Sequence, residues 1–204
     1  MRRCARSTRV TQIEMICPTK QETKQIRIKY EEILKKYDSL PFLGYIPDNR
    51  YLISNTVDQF AKHLDGEYVF DCDGKDNLIL NVLIGGIVLD WSVHYYSSKK
   101  NVIALIRGDR PDLQLGAMQS GGNVKSIVLT KGIKPIEYVV YEAKKQEIPL
   151  ILVKTDTHET AQLIPELVSK SNFDHVLKLE KMTNLLSTNF DINNFKKSFD
   201  ISTL

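Results

Sequence analysis

From residue 101 onward the sequence alternates between short apolar runs and amphipathic segments. The runs are VIALI (102–106), SIVLT (126–130) and LILVK (150–154), and the segments that follow them cover 111–119, 136–146 and 157–169. No other feature constrains the fold as strongly. Each run is apolar at nearly every position rather than at alternate ones, which a strand needs when helices cover both faces of its sheet. Strands and helices repeating at this rhythm build a parallel α/β sheet. The expected class is α/β, with two small units, each a mostly parallel sheet covered by helices.

The first half of the chain carries the other unit. In 19–37, Ile26, Tyr30, Ile33, Leu34 and Tyr37 fall at helical spacing, and Thr19 and Glu22 have the spacing of a capping box. A strand is expected over 41–47, a helix over 55–64 that stops at Asp65 and Gly66, and a short strand over 67–70. The polar cluster DCDGKDN (71–77) reads as a linker. Beyond it, 78–90 is apolar and interrupted by Gly85 and Gly86, and 90–96 is expected to form a short helix. The expected division is a disordered basic N-terminus (1–9), a first unit (10–70), the linker, a second unit (78–180) and a loosely held tail (181–204).

Composition excludes several function classes. The 204 residues include 28 basic and 25 acidic ones, a net charge of +3 that calls for neither nucleic acid nor a membrane surface as partner. No apolar run approaches the roughly 20 residues of a membrane span. Cys4, Cys17 and Cys72 are far apart, a pattern that fits a reducing compartment and offers no metal-ligand spacing. The expected location is the cytoplasm, or an organelle matrix or stroma, since the first thirteen residues are Arg-rich and acid-poor.

The chemistry concentrates in IRGDRPDLQLG (106–116), directly after an apolar run. Pro111 suits the first turn of a helix, Asp109 and Asp112 suit its positive end, and Arg110 can pair with either. Gly108 would let the chain turn sharply after the strand. In open α/β sheets ligands gather beyond the carboxyl ends of the strands. Three loops would meet there: 107–112, 130–135 and 155–160. Lys99, Lys100, Arg107, Arg110, Lys131 and Lys134 would form a mildly positive rim. With Asp109, Asp112 and Asp156, that rim suits a small anionic ligand such as a nucleotide or an acyl phosphate. His158 could serve as a general base, but Thr155 or Asp156 as an N-cap, with Glu159 completing a capping box, explains its loop more simply. Asp71, Asp73 and Asp76 lack the following Glu of a calcium loop, and His63, His94 and His175 stand apart from one another.

These residues also carry a resemblance. Residues 108–164 resemble the DRTGG domain: Gly108, Asp109, Arg110, Asp112, Gln114 and Ala117 fall in its opening pattern. Leu129, Thr130 and Gly132 follow after the next strand, and Ile148 to Val153 is followed by Asp156 and Thr157. Residues 43–69 look like the closing portion of the dethiobiotin-synthetase-like P-loop domain. That domain precedes the DRTGG domain in long phosphate acetyltransferases and in related phosphotransacetylase-family proteins. The sequence departs from these relatives in having no Gly-x-x-x-x-Gly-Lys-Ser/Thr phosphate cradle. The resemblance is not expected to extend to the acetyltransferase catalytic domain, and Lys131 stands where the relatives have glycine.

The resemblance implies a non-catalytic regulatory or ligand-sensing module, and it implies no particular cofactor. Taken with the loops, it gives Gly108, Asp109, Arg110, Asp112, Gln114, Thr130, Lys131, Gly132, Thr155, Asp156 and Thr157 as candidate ligand-binding residues. A truncated first unit would leave sheet edges open, so a homo-oligomer or a partner chain is expected. The alternatives are a fragment or divergent member of a P-loop ATP-dependent enzyme or phosphate acetyltransferase, and a structural scaffold.

Overall fold

The computed structural model describes Glu32 and residues 43–44, 46–87 and 89–198. The helix expected over 19–37 lies outside the described residues, except for Glu32, which is helical. Residues 53–173 form one compact unit, and the described residues on either side belong to a second.

The larger unit opens with β1 (Asn55–Thr56) and α1 (Val57–His63), where Thr56 caps the helix and exchanges capping-box hydrogen bonds with Gln59. Next come β2 (Glu67–Tyr68), a 3-10 turn at Asp73–Asp76, β3 (Leu78–Ile79) and β4 (Asn81–Ile84). The alternating region then reads α2 (Leu89–Ser97), β5 (Val102–Arg107), α3 (Pro111–Met118), β6 (Val124–Thr130), α4 (Glu137–Lys145), β7 (Leu150–Leu152) and α5 (Thr157–Ser169). The main sheet has the order β2-β7-β6-β5-β4, parallel from β4 to β7, with β2 antiparallel at one edge. β1 and β3 form a separate antiparallel pair. The α/β class with a mostly parallel, helix-covered sheet is therefore what the chain adopts.

The continuously apolar runs are explained by the two sheet faces. Along β5, Val102, Ala104 and Ile106 pack with Tyr96 of α2, Leu113 and Ala117 of α3, and Val139 and Ala143 of α4. The intervening Ile103 and Leu105 pack with Val57, Phe60 and Ala61 of α1 and with Ile164 and Leu167 of α5. Alternate side chains of a strand point to opposite faces, so burying both faces requires apolar residues at every position. The sheet steps in one direction from β4 to β7, and right-handed crossovers then put α2, α3 and α4 on one face. The chain leaves β7 for the other face, where α5 joins α1.

Residues 55–70, which the sequence assigns to a first unit, contribute α1 and β2 here, and the compact unit begins ahead of the 71–77 stretch. In the second unit, the strand expected over 41–47 is represented among the described residues by one bridge, Gly44 to Phe190. The expected tail contains helix: α6 (Val176–Asn189), capped by the His175 ring, runs well past residue 181, and α7 (Ile192–Ser198) follows. The Leu43 carbonyl accepts from the Asp191 N–H at 2.6 Å, and the Phe190 and Phe195 rings lie 5.6 Å apart. The sequence pattern misses these helices because Val176, Leu177 and Leu179 are exposed, which blurs the apolar stripe that marks an amphipathic helix.

Candidate functional site at the carboxyl edge of the sheet

Parallel register places the ends of β5, β6 and β7 side by side, with Arg107 opposite Thr130 and Leu129 opposite Leu152. The three loops expected to meet do meet. The Gly108 N–H donates to the Thr130 carbonyl (3.3 Å), and the Lys131 and Gly132 N–H groups donate to the carbonyls of Thr155 and Val153 (2.8 Å each). The hydroxyls of Thr130, which is fully buried, and Thr157 are 2.8 Å apart. The loops after β6 and β7 diverge to opposite faces, the arrangement that opens a crevice in α/β sheets. Here these hydrogen bonds bridge its mouth.

Gly108 has a different role from the one its position implies. Its backbone is not in the left-handed region; instead a Cβ there would overlap the Ile133 carbonyl of the next loop. Close approach, not turning, is what calls for glycine. Gln114 is fully buried beneath it, and its side-chain amide donates to the carbonyls of Arg107 (2.8 Å) and Gly108 (3.1 Å). That side chain therefore holds the loop in place from below.

Charges in this stretch pair locally. Arg107 binds the Asp109 carboxylate with two nitrogens, and Arg110 binds Asp112 likewise at 2.9 and 2.7 Å. The expected cap at Asp109 is not made. Arg110 occupies the N-cap of α3 without a side-chain cap bond, Pro111 takes the first turn, and Asp109 is committed to Arg107. Each arginine holds its partner carboxyl below the usual carboxylate range. Lys131, at a left-handed backbone position (φ 69°), adds only a minor lowering through space, after Arg107 at Asp109 and after the Glu159 and His158 N–H groups at Asp156. Among the described residues, Lys131 and Lys134 take part in no ion pair.

Asp156 caps α5, accepting from the N–H groups of His158 (2.8 Å) and Glu159 (2.9 Å), while Glu159 returns the bond to the Asp156 N–H. Those backbone donors, Glu159 first, hold its carboxyl low. His158 is exposed, its ring near the Gln162 amide. Lys99 and Lys100 do not join the rim. They precede β5, and the Lys100 carbonyl accepts from Asn81 at the start of β4, so they sit at the opposite, amino edge. Among the described residues no three His, Cys, Asp or Glu side chains converge to hold a metal ion.

Sequence reasoning missed Tyr96. It is fully buried against the end of β4, its hydroxyl has no hydrogen-bond partner among the described residues, and a Cβ on Gly85 would stand 2.6 Å from it. Helical periodicity places Tyr96 on α2 but cannot show which strand end it faces.

The DRTGG domain model matches residues 59–167, just over half of the chain. The chain belongs to the DRTGG domain family. The match lies inside the compact unit 53–173 and spans all three loops of the carboxyl edge. A phosphate acetyltransferase of Synechocystis sp. is 28% identical over 178 residues, covering 77% of this chain and 25% of that protein. The phosphate acetyltransferase of Nitratidesulfovibrio vulgaris is 23% identical over 175 residues, covering 79% of this chain and 25% of that protein. The DRTGG chain thus spans about a quarter of the length of these curated relatives. Among solved structures, it aligns with the CBS and DRTGG domains of the regulatory region of Clostridium perfringens pyrophosphatase, complexed with its activator diadenosine tetraphosphate. The TM-score is 0.48 at 15% identity, over 78% of this chain and 76% of that one.

Proposed function

We propose that this DRTGG chain is a non-catalytic regulatory module that senses a small anionic ligand, a nucleotide or an acyl phosphate, at the carboxyl edge of its sheet. The observation that carries this reading is the half-buried Arg110–Asp112 pair at the start of α3, beside loops already bonded to one another. An ion pair still open to solvent on one side contributes little to stability, so its arginine can exchange a carboxylate for a phosphoryl group at small cost. Lys131 and Gly132 from the second loop, and Thr155 to Thr157 from the third, complete the proposed site.

Self-association, or docking on a partner chain, is the companion proposal. β4 is an outer strand, and Ile84 on it and Leu89 and Trp91 just after it are exposed. Gel filtration with light scattering should return a mass above that of one chain; a strict monomer would contradict it. Among the described residues no helix is long and apolar enough to cross a membrane, and a cytoplasmic location belongs to the same proposal.

A thermal-shift screen with nucleotides, acetyl phosphate and coenzyme A at millimolar concentration tests the ligand reading. A ligand at a hundredfold excess over its Kd adds about 2.7 kcal/mol, which for a chain of this size raises Tm by roughly 5–11 °C. No shift with any of them would overturn the proposal.

A further inference from the structure

Strand β4 is the outer strand of the main sheet: it pairs with β5, and among the described residues no strand pairs with its other side. Asn81 and Gly85 donate their N–H groups to the carbonyls of Asn101 and Leu105. Residues alternate along a strand in which side they bond, so Val82 and Ile84 aim their N–H and carbonyl groups away from the sheet. The Ile84 carbonyl takes the Gly86 N–H at 3.1 Å and keeps a second lone pair. Exposed edges are ordinarily blunted by charge, proline or a bulge. This one has none of them: LILNVLIGGIVL (78–89) contains no charge and no proline, and the β4–β5 register runs without a shift. Ile84 is 45% exposed.

Helix α2 borders the same edge. It meets α3 through Ser92, which lies against Gly116, and buries Tyr96 against the sheet. Trp91 takes part in neither contact and is 68% exposed, with Leu89 exposed nearby. Asp90 stands at the amino end of α2, and Lys99 and Lys100 follow its carboxyl end. Among the described residues none of these three charges forms an ion pair.

We infer that this edge takes a second copy of the chain, paired antiparallel through β4 about a two-fold axis, with the two α2 helices side by side. This rests on the self-association reading above and fixes its surface, its symmetry and its occupant. A two-fold interface sets each strand against itself in the opposite direction. Val82 opposite Ile84 of the second copy, with Leu83 at the axis, lets the outward N–H and carbonyl groups of both strands bond to one another. A crossover helix runs antiparallel to the strands it joins, so the two α2 helices also run antiparallel across the axis. Asp90 of one copy then faces the end of the helix that carries Lys99 and Lys100 in the other, and Trp91 lies between. The charge pattern is complementary to itself when reversed, and that is what selects a second copy over a foreign strand.

Sedimentation equilibrium of the full chain at low ionic strength tests this, with fluorescence of Trp91, the chain's only tryptophan, as a second readout. Wild type should reach twice the mass of one chain, and its emission should move to shorter wavelength over the same concentration range as the ring leaves water. Ile84→Lys should weaken the dimer at least tenfold, because a two-fold interface meets each substitution twice. Asp90→Lys should weaken it severalfold, and adding Lys99→Glu and Lys100→Glu to that variant should return it to within about twofold of wild type. If wild type is monomeric, the edge serves another chain or none, and self-association falls with this inference. If wild type dimerises but Ile84→Lys and Asp90→Lys dimerise as well as it does, the copies meet elsewhere; this inference falls while self-association stands. A doubled mass with unchanged emission, or a charge reversal that the added glutamates do not restore, also overturns it. Should Ile84→Lys not fold, the charge-reversal pair decides alone.

Discussion

A single methyl group added at Gly108 tests whether the site is assembled as described. The new Cβ of Gly108→Ala would overlap the Ile133 carbonyl and stand 2.8 Å from the Ile133 Cβ. The obstacle is mainly backbone, so no rotamer change relieves it, and the loop after β6 must move. Overpacking costs about 1–3 kcal/mol, and a rigid obstacle puts this variant near the top, at about 3 kcal/mol. For a chain of this size that lowers Tm by roughly 6–12 °C. Two glycines provide the scale. Gly132→Ala has room, with its nearest neighbour, the Lys154 Cα, 3.9 Å away, but its φ of 64° is left-handed, which costs about 1–2 kcal/mol. Gly86→Ala has open space and no left-handed backbone, so it should stay within about 0.5 kcal/mol of wild type. Scanning calorimetry on the three variants should rank the losses Gly108, then Gly132, then Gly86. If Gly108→Ala melts with Gly86→Ala, the loops after β5 and β6 are not in contact and the site geometry is refuted.

Asp156→Ala removes a carboxylate that accepts from two N–H groups of α5, and it should lower Tm by roughly 2–4 °C. Asp156→Asn, which keeps an acceptor, should lose much less; equal losses would show that the cap is not what stabilises this end. Asp109, Asp112 and Asp156 titrate below the ordinary carboxylate range, held there by Arg107, by Arg110 and by the Glu159 and His158 N–H groups. Because their folded pKa values lie below the unfolded value of about 3.9, their contribution is complete above that value and lost as pH falls through the folded one. Wild type should therefore lose more Tm than an Asp112→Asn, Asp156→Asn double variant on acidification from about pH 5.5 to about pH 3. Parallel slopes would contradict the assignment.

The fold of the alternating region was legible because its physics is written locally. Runs such as 102–106 are apolar on both faces, and Asp156 with Glu159 spells a cap that α5 uses as expected. Long-range relations were less legible. β2 is two residues long and gains its place by pairing with β7, so 67–70 gave no sign of joining the later sheet. The assembly of three loops followed from strand order, which is why most candidate residues met. The sequence could not show that Asp109 turns to Arg107 rather than to the helix, or that Lys99 and Lys100 fall at the opposite edge. Both depend on where a side chain or strand end points in space. Gly108 and Tyr96 are the clearest cases, since a glycine kept for close approach reads like a glycine kept for a turn. A buried phenol without a partner reads like any core tyrosine.

The central claim is that the carboxyl edge of this DRTGG chain binds a phosphoryl-bearing ligand through Arg110. Isothermal titration of wild type and Arg110→Ala with ATP and with acetyl phosphate, at equal ionic strength, tests it most directly. The account predicts saturable one-site binding of at least one of the two to wild type, and its loss in a folded Arg110→Ala protein. Binding that is unchanged in Arg110→Ala, or no binding to wild type at all, would contradict it.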